Sequence, residues 1–217
     1  DIIHANGMAS NQLSAVAAAL LRKPLVLHLQ NYVEREYYYK YFFFLADKII
    51  PVSDVMLASL RKYARRNKKI VLMKHAVPVQ KKHEKTNFLH RELGINTKKK
   101  IVGFVGLIEE RKGLEYFIRA AKLVKNTAVF IIVGDSLFTN DDYKNKMKQL
   151  AKNLKLTNLY FLGYRKDVSS ILAEMDVFVI PAIDEPLGIV ALEASSFSLP
   201  SVGFNSGGLP ETIEDGK

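Results

Sequence analysis

A chain of 217 residues, 48% hydrophobic and 25% charged, is ordinary for a globular protein and long enough to bury one large or two small cores. It has no cysteine, which excludes disulfides and thiolate metal sites, and its five histidines show no metal-ligand spacing. A formal charge of +10 favours a polyanionic partner, whether nucleic acid, membrane surface or phosphorylated substrate, without choosing among them.

No signal peptide is visible, and the apolar run Leu13 to Leu29 is broken by Arg22-Lys23-Pro24, so it does not read as a membrane span. The chain starts without methionine on what reads as a strand and stops just after a loop, and is expected to be a fragment. Asp1 to Ala5 reads as a strand, Ser10 to Leu21 as an alanine- and leucine-rich helix, and Leu25 to Leu29 as a parallel strand covered on both faces. Tyr32 to Leu45 is aromatic-heavy and reads as a helix that serves as core, membrane-facing surface or acceptor-site wall. Lys48 to Pro51 follows as a strand, Ser53 caps a helix from Val55 to Ala64, and Ile70 to Met73 reads as another strand. Bases crowd between Arg61 and Lys85, and the aperiodic stretch from Val77 to Lys85 reads as a linker. It divides the chain into 1–84 and 85–217.

The second part alternates cleanly. Ile101 to Val105, Val129 to Val133, Leu159 to Leu162, Val177 to Ile180 and Ser201 to Gly203 read as strands; Gly113 to Val124, Asp142 to Leu154, Asp167 to Glu174 and Gly188 to Phe197 read as helices. Such alternation implies an α/β fold with a doubly wound parallel sheet and its sites at the carboxyl ends of the strands.

Two strand-to-helix junctions carry the candidate chemistry. In Ala182 to Pro200 a helix starting near Gly188 would leave the amides of Gly188, Ile189 and Val190 unpaired at the positive end of its dipole, suited to a phosphate. Glu185 precedes that helix and Glu193 lies inside it, where a solvated position is the simpler alternative. In Gly103 to Gly113 a loop ends in Lys112 beside a helix start, a second place for a diphosphate or merely a solvated lysine. Gly134 and Gly163-Tyr164-Arg165 also follow strand ends, as turns of any kind do.

The run from Glu185 to Glu193, with Glu193-Ala194, Leu199-Pro200, Gly207-Gly208-Leu209-Pro210-Glu211 and Asp215-Gly216, resembles the E-x7-E signature of retaining glycosyltransferases of the GT-B fold, family 4. The resemblance implies two Rossmann-like doubly wound domains, the first incomplete. It implies a nucleotide-diphosphate sugar as donor, a lipid-linked or saccharide acceptor, and transfer with retention, without metal or cofactor. It gives Glu185, His28 and Lys112 catalytic roles: Glu185 orients the sugar, His28 faces it from the first domain, and Lys112 holds the diphosphate. Donor binding falls to Gly106, Lys112, Gly134, Tyr164, Leu187, Gly188, Ile189, Val190 and Glu193, the last holding the ribose hydroxyls. Gly106 to Gly113 is similar to the family's G-R-L-x-x-x-K-G loop, but Leu107 stands at its arginine, and whether Arg111 replaces that cation is open. His75-Ala76-Val77 stands at the usual Asn-Gly-Val and Ser198 at a usual glycine.

The bases between Arg61 and Lys85, with the aromatics of Tyr37 to Phe44, also suggest a cytoplasmic protein in peripheral contact with an anionic inner membrane face, in glycolipid or envelope polysaccharide synthesis. The rival readings are a basic nucleic-acid-binding α/β protein, disfavoured because no nucleic-acid module is visible, a dinucleotide oxidoreductase, which lacks G-x-G-x-x-G, and a non-catalytic GT-B-like protein.

Overall fold

A computed structural model of the chain describes residues 1–32, 43–61, 70–80, 85–124, 127–137 and 141–216. Most of the aromatic segment and much of the basic run, 62–69 and 81–84, lie outside the described residues. Contacts divide the chain into two compact units, Asp1–Ala76 and Val77–Lys217.

The first unit contains β1 (Ile3–Asn6), α1 (Met8–Leu21), β2 (Leu25–Leu29), β3 (Lys48–Pro51) and α2 (Asp54–Arg61). The strands form a parallel sheet in the order β1-β2-β3, with His28 in register between Asn6 and Ile50. Leu25, Leu27 and Leu29 of β2 are buried, as befits a central parallel strand. Ser53 caps α2: its hydroxyl accepts the Met56 amide at 3.3 Å, satisfying one of the donors that a helix start leaves orphaned. Ile70 to Met73 does not form a full strand. It makes one bridge to Ile49, and the Met73 amide donates to the Pro51 carbonyl at 3.1 Å.

The second unit holds α3 (Phe88–Glu92), β4 (Lys100–Val105), a 3₁₀ turn (Glu110–Lys112), α4 (Leu114–Leu123), β5 (Ala128–Val133), α5 (Asp142–Asn153), β6 (Leu159–Gly163), α6 (Val168–Glu174), β7 (Val177–Ile180), α7 (Ile189–Ser196) and β8 (Ser201–Gly203). All six residues of β5 are buried, because helices cover both faces of the sheet. Leu114, Phe117, Ile118 and Ala121 recur at the helical period and bury one face of α4 against it. Phe117 meets the rings of Phe104 and Phe130 at centroid distances of 5.9 and 5.1 Å, so Phe117→Ala would cost about 3–5 kcal/mol.

The strand order β6-β5-β4-β7-β8 is that of a doubly wound sheet. Its direction of winding reverses between β4 and β7, so the helices that follow those two strands, α4 and α7, pack into different core clusters, and the switch point lies at the strands' carboxyl ends, where such a sheet has its crevice. The loops there are 106–113 and 181–188, the two junctions singled out above. Among the described residues, no helix is long and apolar enough to cross a membrane.

Candidate active site at the switch point of the sheet

The two loops are locked together by backbone. The Ile183 amide donates to the Arg111 carbonyl at 3.0 Å, and Gly113, at φ 66°, lies so close to Pro181 that a Cβ would stand 1.8 Å from the Pro181 oxygen. A side chain there would push the loops apart. Across the bottom of the crevice the ends of β4, β5 and β6 are tied in sequence. The Gly106 amide donates to the Val133 carbonyl at 3.0 Å and the Gly134 amide to the Gly163 carbonyl at 2.8 Å. Gly134 has φ 131°, and its Cβ would fall 1.9 Å from the Gly106 oxygen. The result is a floor of bare backbone, which a polyanionic ligand can approach closely.

Lys112 and Glu185 meet over this crevice. The Lys112 ammonium donates to Glu185 Oε2 at 2.6 Å, both side chains being largely buried. Arg111 converges on the same oxygen, with Nη1 at 3.7 Å, while its Nε pairs with Glu109 at 2.7 Å. Leu107, at the position where the resemblance expects arginine, is partly exposed and brings no charge.

Glu185 is aimed by a distant segment. Its carbonyl accepts the Gly208 amide at 2.7 Å, and a Cβ on Gly207 or Gly208 would come within 2.5 Å of the Glu185 oxygen or 2.1 Å of the Pro186 oxygen. Gly188, at φ 80°, caps α7. The helix's own bonding begins with the Ala191 and Leu192 amides, both on the Gly188 carbonyl, so the amides of Ile189 and Val190 precede its first bonded donor. Two cations and the start of a dipole thus surround one carboxylate.

Glu193 is half-buried on α7, and burial pushes its carboxyl above the usual range. Among the described residues its carboxylate has no recorded hydrogen-bond or ion-pair partner. Leu187 is 3% exposed, so only its backbone can face a ligand, whereas Tyr164 is 72% exposed at the end of β6. The neighbouring Arg165 is bound to Asp167 at 2.7 Å and Glu92 at 2.6 Å, which raise its pKa and hold the loop instead of leaving a cation for phosphate. Asp135, after Gly134, is bound by Lys144 and the Ser136 amide, which lower its pKa.

His28 belongs to the first unit and is the last residue but one of β2, beside two further histidines. Its ring stacks on His4 at 5.6 Å between centroids with planes 13° apart, and on His75 at 5.4 Å with planes 22° apart. His28 is 9% exposed and its Nε2 is buried without a partner. Burial, then His75, then His4 hold its imidazole below the usual value. The site reading of the sequence omitted His4 as a neighbour of this ring. The alternation of a parallel strand was a usable signal, since His4 and Asn6 share a face with His28.

A bare glycine floor, two cations and a helix start stand at the switch point of a doubly wound sheet, the place where such α/β folds bind their ligands. The family of glycosyl transferases group 1 matches residues 85–217, and the chain belongs to that family. An uncharacterized glycosyltransferase, MJ1607 of Methanocaldococcus jannaschii, is 35% identical over 136 residues, covering 60% of this chain and 33% of that protein. A UDP-Gal:alpha-D-GlcNAc-diphosphoundecaprenol alpha-1,3-galactosyltransferase of Escherichia coli is 28% identical over 237 aligned positions, covering 96% and 58%. The crystal structure of Anabaena Alr3699/HepE in complex with UDP and glucose superposes with a TM-score of 0.90 at 25% identity, covering all of this chain and 62% of that one. The chain therefore spans from a third to about three-fifths of the length of these relatives.

Proposed function

We propose that the protein transfers a sugar, with retention of configuration, from a nucleotide-diphosphate sugar to a lipid-linked or saccharide acceptor in glycolipid or envelope polysaccharide synthesis. The observation that carries this reading is the meeting of Lys112 and Glu185 beside the start of α7 and above the glycine floor. Lys112, joined by Arg111 and the amides of Gly188, Ile189 and Val190, takes up the charge that grows on the leaving diphosphate. With that much positive charge supplied by the chain, the reaction is proposed to need neither metal nor cofactor. Glu185, released from Lys112 as the diphosphate binds, turns to the transferred sugar; Glu193 takes the ribose hydroxyls, and Gly106, Gly134 and Tyr164 line the nucleotide. His28 is a further substrate-facing residue.

A uridine nucleotide is the favoured donor, since the Anabaena relative was crystallised with UDP and glucose. The name of the Escherichia coli relative supports a diphosphate-linked lipid acceptor and hence peripheral attachment at the cytoplasmic face of a membrane. Phe44, 81% exposed, is an aromatic that could enter a headgroup layer.

A thermal-shift screen of UDP-, GDP- and ADP-sugars tests donor binding, because a ligand of the native state stabilises it in proportion to its excess over Kd. A nucleotide sugar that raises Tm, followed by a transfer product of unchanged anomeric configuration by NMR, is the expected result. No shift with any of them would refute the donor assignment. Vesicle co-sedimentation at low and high salt tests attachment, with salt-sensitive binding to anionic vesicles expected.

A further inference from the structure

We propose that His75 is a positioning residue: tied through Gln30 to Asn6, it fixes, together with His4, the ring plane of His28 and so the direction in which the His28 imidazole edge meets a substrate hydroxyl. The proposal rests on the reading of His28 as a substrate-facing residue.

The tether is built into one face of the first sheet. Asn6 and His28 are register partners, His4 lies two residues before Asn6 on the same face of β1, and Gln30 follows the last residue of β2. Gln30 donates from Nε2 to Asn6 Oδ1 at 2.9 Å and presents Oε1 to His75 Nε2 at 2.7 Å. An amide oxygen accepts only, so His75 carries a proton on Nε2 and its ring is held from that edge. His75 is the member most distant in sequence, 45 residues from Gln30. It closes the second face of the His28 ring, whose first face is closed by His4.

A ring between two others can turn only by sliding between them, so its Nε2 keeps one direction. The same sandwich opposes a charge on His28. Of the elements packed around it, α1 has no ionisable side chain, and β3 places Ile50 opposite His28 with Lys48 two residues before it on that face. Lys74, next to His75, is paired with Asp54 at 2.7 Å. Among the described residues, the ionisable neighbours of His28 are therefore cations or potential cations, and it faces its substrate as a neutral imidazole, able to accept or donate one hydrogen bond to a sugar hydroxyl.

The test uses His75→Ala, and Gln30→Ala as a second variant that cuts the tether while leaving the ring in place. Two readouts are taken on each: the titration midpoint of His28 from its ring protons by NMR, and the pH profile of UDP release from UDP-glucose. With His75 gone, His28 loses both burial and a repelling neighbour, so its midpoint rises towards about 6.5 and the acid limb of the kcat profile moves to higher pH with it. Misorientation of a hydroxyl partner lowers kcat about tenfold and leaves KM for the donor within about twofold. Gln30→Ala shifts kcat in the same direction by a smaller factor. The positioning role is overturned if both variants keep the wild-type midpoint and kcat. If His28→Ala itself leaves kcat unchanged, the substrate-facing reading of His28 fails and the proposal with it; loss of activity in His28→Ala beside unaffected His75→Ala and Gln30→Ala defeats the positioning role alone.

Discussion

Lys112 and Glu185, residues of two different loops, share a hydrogen bond of 2.6 Å at the point where the winding of the sheet reverses. On the proposed donor mode a diphosphate oxygen takes the place of this carboxylate beside the ammonium, so that donor binding exchanges one anion for another. Lys112→Ala removes a charge-assisted bond worth about 1.5–3 kcal/mol, and donor Kd by titration calorimetry should rise about tenfold or more. An unchanged Kd would remove Lys112 from the donor site.

Arg111 reaches the same Glu185 oxygen at a looser 3.7 Å and is more exposed. Arg111→Ala should therefore weaken the donor less than Lys112→Ala, by about two- to fivefold, and the loss should shrink in high salt as exposed charge interactions do. A larger loss than for Lys112→Ala would reverse the ranking of the two cations.

Glu193 should show the conflict between binding and stability. Its carboxyl is raised by burial, so the folded chain holds the proton to higher pH than the unfolded chain, and the charged form costs stability as pH rises through the raised value. Glu193→Gln removes that cost. At pH 7 the variant should melt at or above the wild-type Tm while losing donor affinity; at a pH below both titrations the Tm difference should vanish. A variant that melts lower and binds the donor normally would make Glu193 a structural residue.

Asp176 should behave in the opposite way. Although burial alone would raise it, bonds from the Ile101 amide and from Lys85 and Lys100 hold its carboxyl below the usual range. Its contribution is present above the unfolded pKa and is lost as pH falls through the lower, folded value. Asp176→Asn should lower Tm at pH 7 and flatten the acid limb of the stability curve in urea titrations. Equal Tm differences at neutral and acid pH would argue for lost packing instead.

Gly134 and Gly94 both have positive φ, but only Gly134 faces a wall: its Cβ would meet the Gly106 oxygen at 1.9 Å, whereas nothing stands within 4 Å of a Cβ on Gly94. Gly94→Ala should cost about 1 kcal/mol of backbone strain and leave donor binding alone. Gly134→Ala should cost more and also disturb the floor, read as a higher donor Kd in the folded fraction.

The second sheet was legible because its strands are continuous apolar runs such as Val129 to Val133, separated by helices with a buried period such as Leu114, Phe117, Ile118 and Ala121. The five-residue helix Phe88–Glu92 was missed, being too short to show a period. Ile70 to Met73 has the composition of a strand, but only one bridge forms, since composition does not supply a partner. Glu185 and Lys112 were each visible as residues beside helix starts, yet their bond joins positions 73 apart and no local pattern announces it. The same holds for Glu174, which takes both the amide and the hydroxyl of Thr86, 88 residues away. The histidine column stayed hidden for a related reason: it depends on strand register, which hydrophobic pattern alone does not assign.

The backbone contact between Gly208 and Glu185 also bears on when the site comes into being. Lys112 and Glu185 lie on loops that follow β4 and β7, whereas the glycine pair comes after β8, the edge strand of the sheet. The aim of the carboxylate thus depends on a segment made after both loops, and a substitution at Gly207 or Gly208 would reach the candidate site through backbone alone.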